Sequence, residues 1–187
     1  MPFTEVPISG LLVFEPAVFA DSRGFFFESY NEKTFAAQGI TTRFVQDNQS
    51  KSEYGVVRGL HYQLNPFAQT KLVRVLLGRI LDVAVDIRKN SPTYGQVFSI
   101  ELSADNKKQL YIPKGFAHGF SVLSDTAEVL YKCDNFYSKE SEGGILLDDA
   151  DLGIDWQVPA DKMILSEKDK KNSRFADIKV NFEFEAK

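Results

Sequence analysis

Short strand-like segments recur along most of the chain, and each is bounded by residues that favour turns. The clearest ones place apolar side chains at every second position, the pattern of a half-buried β-strand, and they span residues 71–77, 80–87, 96–102, 108–112, 116–123 and 127–133. Only two residues separate 71–77 from 80–87, which predicts a β-hairpin. Helix signals are few: Asn31 can cap one short helix that Gly39 would end. The pattern predicts an all-β jelly-roll barrel or sandwich with a few short peripheral helices.

Length and composition narrow the class of protein. The 187 residues suit one domain spanning 1–187, and a content of 43% hydrophobic and 13% aromatic residues favours β-structure. A net charge of −4 and a pI near 5.3 argue against a nucleic-acid partner. No apolar run approaches the ~20 residues of a membrane span, and the N-terminus lacks a signal-peptide pattern. Because Cys133 is the single cysteine, we expect no disulfide framework and a soluble, cytoplasmic protein without a membrane partner.

The strand predicted at 56–63 carries residues that a buried strand does not need. Arg58 and His61 lie in it, and Lys71 follows shortly after, so three side chains that can be cationic lie near one strand pair. This grouping favours an anionic ligand, and histidine, whose pKa is near 7, suits proton transfer. Arg58 and His61 are three residues apart and would point to opposite faces of a regular strand. We therefore expect a bulge or local twist at Gly59.

Several polar residues are predicted on otherwise apolar strand faces. Strict alternation places Lys71 on the aliphatic face of its strand, where an unpaired charge would cost several kcal/mol. Asp82, on the neighbouring strand, is the candidate partner of Lys71. His118 shares a face with phenylalanines, and Tyr131, also on an apolar face, is by default a core residue. On composition alone, the charged run 167–171 is typical of an exposed helical turn.

A metal site is not predicted. His118 ends a P-x-G-x-x-H spacing at 113–118 that is similar to the second motif of metal-binding cupins. However, His61 and His118 are the only histidines, so a histidine-rich metal site is impossible and a metal would need mainly carboxylates. The lone Cys133 also excludes a zinc-thiolate site and is expected to be a small core residue.

Five motifs, in this order and spacing, resemble one known family. They are RGFFFE at 23–28, QDN at 46–48, RGLHYQ at 58–63, KLVR at 71–74 and PKGFAHGF at 113–120. Together they resemble the dTDP-4-dehydrorhamnose 3,5-epimerases, a family of cupin-fold dimers that use no metal or organic cofactor. The resemblance extends from the first strand to about Asp169. Departures are small: Gln49 stands where a histidine is common, and Thr70 where a glycine often precedes the lysine.

The resemblance implies roles for four catalytic residues. His61 matches the base that abstracts a proton, and Asp169 matches the carboxylate that orients it. Lys71 matches the lysine near the keto oxygen of the sugar, and Tyr131 the tyrosine that returns a proton. The implied reaction converts dTDP-4-dehydro-6-deoxy-D-glucose into dTDP-4-dehydro-L-rhamnose by inversion at C3 and C5.

The resemblance also implies a set of substrate-binding residues. Tyr137 matches the aromatic side chain that stacks on thymine, and Lys71 belongs to this set as well. The other matching positions are Arg23, Glu28, Gln46, Asp47, Asn48, Arg58, His118, Glu142 and Lys168. In the family, the segment that holds Arg23 and Glu28 reaches into the partner subunit's site, so a homodimer is expected.

Three other functions stay open from the sequence. A relative with the same fold could invert only one of the two carbons, because the placement of Tyr131 is not reported by any motif. A non-catalytic cupin that binds sugars would keep the fold without proton exchange. A metal-dependent cupin oxygenase or isomerase would need a bound metal for activity.

Overall fold

The structure is a computed structural model that describes residues 2–185. Its strands are β1 (Phe3–Glu5), β2 (Leu12–Phe14), β3 (Phe19–Asp21), β4 (Gly24–Phe26), β5 (Gln46–Glu53), β6 (Val57–Gln63), β7 (Lys71–Leu77), β8 (Arg79–Asp86), β9 (Val97–Ser103), β10 (Gln109–Ile112), β11 (Phe116–Val122), β12 (Thr126–Cys133) and β13 (Glu142–Gly144). In this described range the helices are α1 (Glu32–Ala37) and four 3₁₀ turns at Lys139–Ser141, Ala160–Lys162, Asp169–Lys171 and Phe175–Asp177.

The strands form two facing antiparallel sheets. One sheet has the order β1-β2-β10-β7-β12-β5 and the other β13-β6-β11-β8-β9, while β3 and β4 form a separate hairpin. A hydrophobic core between the sheets joins Val73 and Val75 of β7 to Ile80 of β8 and Phe120 of β11. This two-sheet barrel with few helices confirms the predicted all-β jelly-roll architecture.

Two further clusters cover the outer faces of the sheets. The C-terminal third packs on the five-stranded sheet, where Trp156 and Phe182 join Val83 and Val85 of β8. On the other sheet, helix α1 buries Phe35 in a cluster of aromatic and aliphatic residues. The peripheral segments therefore extend the core outward and leave the barrel interior to the strands.

The hairpin predicted for 71–77 and 80–87 is wrong. β7 pairs with β10 and β12, whereas β8 pairs with β9 and β11, so the chain crosses from one sheet to the other at Gly78. Gly78 has a φ of +73°, a conformation that glycine adopts without steric cost. The alternation is the same for a hairpin and for a corner between sheets, and here the corner lets both strands bury their apolar faces in one core.

The predicted short helix is present. Asn31 caps α1 by accepting hydrogen bonds from the backbone N–H groups of Lys33 and Thr34. Phe35, at the centre of the helix, packs against Phe14 and Tyr30, which fixes the helix to the six-stranded sheet. None of the helices in residues 2–185 has the length and apolar character needed to cross a membrane.

The predicted irregularity at Gly59 is confirmed. In the pairing of β6 with β11, His61 lies opposite His118 but Arg58 lies opposite Phe120, so β6 holds one extra residue. Gly59 has a φ of +128°, and a Cβ there would lie 2.5 Å from the Cα of Gly119. The bulge therefore depends on two glycines that let neighbouring backbones approach closely.

We predict that Gly59→Ala destabilises the fold by about 3 kcal/mol or more, because the backbone conformation and the contact with Gly119 both oppose a Cβ. Gly39→Ala is the control, since Gly39 has a φ of +82° but nothing within 4 Å of an added Cβ, and it lies outside the β3–β4 hairpin. The control should lose only about 1–2 kcal/mol. Urea unfolding of both variants measures the difference, and equal losses would contradict the close-approach argument.

Candidate active site

The first element of the site is a contact between β6 and the C-terminal third of the chain. His61 Nε2 lies 2.6 Å from Asp169 Oδ1, and the Asp169 side chain is buried while that of His61 is 32% exposed. The backbone N–H of Val57 donates to the carbonyl of Ile164, which brings the segment before Asp169 against β6. The interpretation of 167–171 as an exposed turn is therefore wrong for Asp169, although Lys168 and its other neighbours are exposed.

The second element is a row of three ionisable groups, of which Asp82 and His118 are buried and Lys71 is half-buried. His118 Nε2 lies 2.8 Å from Asp82 Oδ1, and His118 Nδ1 lies 3.4 Å from Lys71 Nζ. The expectation that Asp82 pairs directly with Lys71 is wrong, because His118 lies between them. Burial lowers the pKa of His118, an effect that the charge of Asp82 opposes. A neutral His118 that donates from Nε2 to Asp82 can accept from Lys71 at Nδ1.

Lys71 and Tyr131 lie next to each other on the inner face of the six-stranded sheet. Lys71 Nζ is 5.7 Å from the centre of the Tyr131 ring. Burial lowers the pKa of Lys71, while Cys133 and the carboxylates of Asp82 and Glu142 oppose the shift. Burial also raises the pKa of Tyr131, so its phenol keeps its proton at neutral pH.

These elements meet in one cleft. Two adjoining cavities of about 140 and 480 Å³ are both lined by His61, Lys71, His118 and Tyr131. The smaller cavity continues to Gln63, Gln69, Tyr137 and Glu142, and the larger one to Arg58, Lys168 and Asp169. Because of the bulge at Gly59, Arg58 and His61 line the same cavity despite their odd spacing. The combined space suits a ligand larger than one sugar ring.

A polar group closes one side of the cleft. The Tyr137 hydroxyl donates to Glu142 Oε2 at 2.8 Å, and Lys168 forms an ion pair with the other oxygen of Glu142. Burial alone would raise the pKa of Glu142, but the hydrogen bonds from Lys168 and Tyr137 outweigh it and hold that pKa below its ordinary value. Glu142 is therefore an anion that holds Tyr137 and Lys168 together.

Five of the predicted binding residues line neither cavity. Gln46 and Asn48 are hydrogen-bonded to each other on β5, and Asn48 also donates to Cys133 Sγ beside Lys71. Asp47 points the other way and pairs with Lys132 at 3.0 Å. The remaining two are on or near the β3–β4 hairpin.

That hairpin lies apart from the cleft. Arg23 bonds only to Asp21 in residues 2–185 and its side chain is 88% exposed, while Glu28 accepts from Asn31. Nowhere in residues 2–185 are three His, Cys, Asp or Glu side chains grouped so that they could hold a metal ion.

With this geometry established, comparison with known proteins assigns the family. The family model described as dTDP-4-dehydrorhamnose 3,5-epimerase matches residues 5–177. A protein of that name from Shigella flexneri is 57% identical over 93% of this chain and 94% of its own length. This chain belongs to the dTDP-4-dehydrorhamnose 3,5-epimerase family. Its counterpart from Pseudomonas aeruginosa is 53% identical over 95% of this chain and 97% of its own length.

Solved structures of the family share the whole fold. The 3,5-epimerase from Legionella pneumophila, solved with dTDP-4-keto-L-rhamnose, is 46% identical with a TM-score of 0.94 over 98% of both chains. A 3′-monoepimerase from Streptomyces bikiniensis is 31% identical with a TM-score of 0.84, over 91% of this chain and 86% of its own. The cupin-type jelly roll is thus common to epimerases that differ in the number of centres they invert.

Sequence reasoning about this epimerase missed three contributors to the site. The Asp82–His118 pair was not foreseen, and Gln63 and Gln69 line the smaller cavity without having been assigned a role. Gln63 lies two residues after His61 on the same strand, so alternation could have placed both on one face. Gln69 lies in an irregular loop, where no periodic pattern exists to indicate it.

We predict that His118 titrates below the usual histidine range near 6.5, with its hydrogen on Nε2. The unfolded chain takes up this proton near pH 6.5 while the folded chain does not, so this residue reduces stability as the pH falls below 6.5. Two histidines give a simple ¹⁵N NMR spectrum. Asp82→Asn should lower the pKa of His118 further, and Asp105→Asn, in an exposed turn, should leave it unchanged; an ordinary pKa in wild type would refute the assignment.

Proposed function

We propose that this chain is a cofactor-independent isomerase that inverts C3 and C5 of dTDP-4-dehydro-6-deoxy-D-glucose to give dTDP-4-dehydro-L-rhamnose, in dTDP-L-rhamnose biosynthesis. The observation that carries this proposal is the cleft that His61, Lys71 and Tyr131 line together. The chain is also 57% identical to the dTDP-4-dehydrorhamnose 3,5-epimerase of Shigella flexneri. The chemistry needs a base, an acid on the opposite side of the ring and a cation at the keto oxygen. All three are available as side chains in this cleft.

His61 is proposed as the base. The C4 carbonyl acidifies the protons on C3 and C5, and a positioned imidazole can remove them as a general base. Because His61 Nε2 is bonded to the acceptor Asp169, the hydrogen of the neutral imidazole belongs on Nε2 and the lone pair on Nδ1. The buried carboxylate of Asp169 then holds the ring in place and favours the imidazolium that forms.

Lys71 and Tyr131 complete the reaction. Removal of the proton leaves negative charge on O4, and the ammonium of Lys71 stabilises the charge as it grows in the transition state. Inversion requires a proton from the opposite face, which the phenol of Tyr131 can donate because its raised pKa keeps it protonated. His118, which is hydrogen-bonded to Asp82, accepts a hydrogen bond from Lys71 and so helps to position its ammonium group.

The remaining residues are proposed to bind the nucleotide. Arg58 and Lys168 line the larger cavity and suit the diphosphate, since guanidinium and ammonium groups bind phosphate oxygens well. Tyr137, exposed at the edge of the smaller cavity, suits stacking on thymine. Glu142 orients both Tyr137 and Lys168.

A homodimer is part of the proposal. Phe19, Phe25 and Phe26 expose 60–67% of their surface on the β3–β4 hairpin, a patch typical of protein interfaces. Arg23 and Glu28 lie near the same hairpin and outside the cleft of their own chain. Insertion of this segment into the partner's cleft would cover the phenylalanines and bring both charged residues to the substrate. Gln46 and Asn48 share the face of β5 beside Cys133 and would extend the cleft wall there, whereas Asp47 is on the opposite face. A cytoplasmic location agrees with the unpaired thiol of Cys133.

The proton-transfer roles are tested by NMR of the keto-sugar nucleotide with the protein in D2O. We predict that wild type incorporates deuterium at both C3 and C5, and that His61→Ala slows incorporation by about 10²-fold or more while dTDP still binds. Tyr131→Phe should keep exchange but yield little inverted product, because only the return of the proton is impaired.

Each alternative function gives a different result in this experiment. Exchange at one carbon indicates a single-centre epimerase, and no exchange by wild type indicates a binding module. Loss of exchange on chelation would indicate a metal-dependent enzyme. Glu128→Gln, on the outer surface of β12, is the control that should exchange like wild type.

The shared site is tested by subunit complementation. If Arg23 serves the partner's cleft, inactive His61→Ala and Arg23→Ala chains that are unfolded and refolded together recover about a quarter of wild-type activity, because half of the dimers are mixed and one site in each is intact. His61→Ala mixed with Lys71→Met is the matched control and should recover nothing, since both residues belong to one cleft. No recovery in the first mixture would contradict the exchange of the hairpin.

A further inference from the structure

Gln63 is a buried side chain with all of its polar atoms engaged. Its Nε2 donates to the carbonyls of Phe67 at 2.6 Å and Phe136 at 3.2 Å, and its Oε1 accepts from the backbone N–H of Ser138 at 2.7 Å. The reversed orientation of the amide would direct its oxygen at two carbonyls, so only one orientation satisfies these contacts. The amide is therefore a fixed bridge between the strand of His61 and the two loops that follow β6 and β12.

The bridge encloses one residue of the proposed site. Phe136 and Ser138 are the neighbours of Tyr137 on either side, so Gln63 holds the backbone both before and after it. The Tyr137 side chain is 58% exposed, and its hydroxyl is held by Glu142, which pairs with Gln63 in the β6–β13 ladder. The side chain of Gln63 thus fixes the backbone on both sides of Tyr137. The backbone of Gln63 pairs with the strand of Glu142, which binds the Tyr137 hydroxyl.

The two loops also carry other links. Gln69 donates to the carbonyl of Asn135 at 2.8 Å, and Asn135 donates to the carbonyl of Pro66 at 2.9 Å. Ser141 also bonds to Ser138 through its backbone N–H and its hydroxyl, which closes the turn after Tyr137. Gln63, however, joins the backbone on both sides of Tyr137 to the strand of His61. An exposed aromatic ring that is already held in its binding position loses little conformational entropy when a ligand stacks on it.

We infer that Gln63 is a positioning residue that sets Tyr137 for stacking on the nucleobase, an inference that rests on the proposed function. It acts through Tyr137, so its loss affects binding of the nucleotide and leaves the proton-transfer groups in place. Gln63 also lines the smaller cavity, but its amide is fully engaged by backbone groups, so substrate affinity depends on it through the hydrogen bonds that hold Tyr137.

A double-mutant cycle measured by calorimetry with dTDP tests the inference. Tyr137→Ala is expected to raise the dissociation constant about 10-fold, the usual effect of losing one stacked base. Gln63→Leu should reproduce most of that factor, and the double variant should bind no more weakly than Tyr137→Ala alone. Gln63→Leu should also raise KM for the keto sugar with little change in kcat. If Gln63→Leu raised the dissociation constant for dTDP by the same factor in the Tyr137→Ala background as in wild type, the inference would be overturned.

Two further measurements keep a folding defect from being mistaken for this effect. 2-Deoxyribose 5-diphosphate, which lacks the base, should bind wild type and Gln63→Leu equally, and unequal binding would count against the inference. Gln63→Glu keeps the acceptor for Ser138 but loses both donated bonds, so its affinity for dTDP relative to wild type should rise as the pH falls and the carboxyl regains a hydrogen; a constant ratio would oppose the inference. Gln49→Leu, on an exposed face of β5, is the matched control and should bind as wild type does. Failure of wild type itself to bind dTDP would refute the proposed function instead.

Discussion

The contact between Asp82 and His118 is the interaction on which the interior of this barrel depends. Three ionisable side chains face the space between two apolar sheets, where each would be costly alone. The row Asp82–His118–Lys71 offsets that cost, because a neutral imidazole accepts from the ammonium and donates to the carboxylate. The positive charge of Lys71 can thus be kept at a site that otherwise disfavours it. A preorganised charge in such surroundings stabilises an enolate more than an exposed lysine would.

The sequence predicted the local elements better than their connections. Alternation identified β7 to β12, and Asn31 identified the α-helix found in residues 2–185, because these signals depend only on neighbouring residues. The corner at Gly78 could not be distinguished from a hairpin by the same signal. Both arrangements bury every second residue, and the choice depends on contacts between β7 and the distant strands β10 and β12. The bulge at Gly59 was predictable because a functional argument required Arg58 and His61 on one side.

In the site, too, the sequence predicted local placement better than the contacts between distant residues. Inward placement of Lys71, His118 and Tyr131 followed from strand periodicity, whereas the roles assigned to them came from the family resemblance. Composition alone gave the wrong environment for Asp169, since a charged run is normally exposed and only the contact with His61 explains its burial. The direct pairing of Lys71 with Asp82 was wrong because alternation reports the face of a residue, and His118 from a third strand lies between them.

The cleft divides into a floor of strands and a rim of loops, and this division explains how one fold serves related reactions. The groups proposed to move protons lie on β6 and β12, and the lysine proposed to stabilise the enolate lies on β7; the positions of these strands are set by ladders and by the core. Of the groups proposed to hold the nucleotide, Arg58 lies on β6, whereas Tyr137 and Lys168 lie on the rim, where Gln63 and Glu142 bond to Tyr137 and its neighbours. A sugar tethered to that rim meets a fixed base and a fixed acid, so the carbons that exchange depend on where the rim holds the ring. The 3′-monoepimerase with a TM-score of 0.84 fits this view, because its fold is shared while its reaction differs. A shared barrel with different outcomes thus points to the placement of the sugar against the base and the acid as the feature that differs between such epimerases.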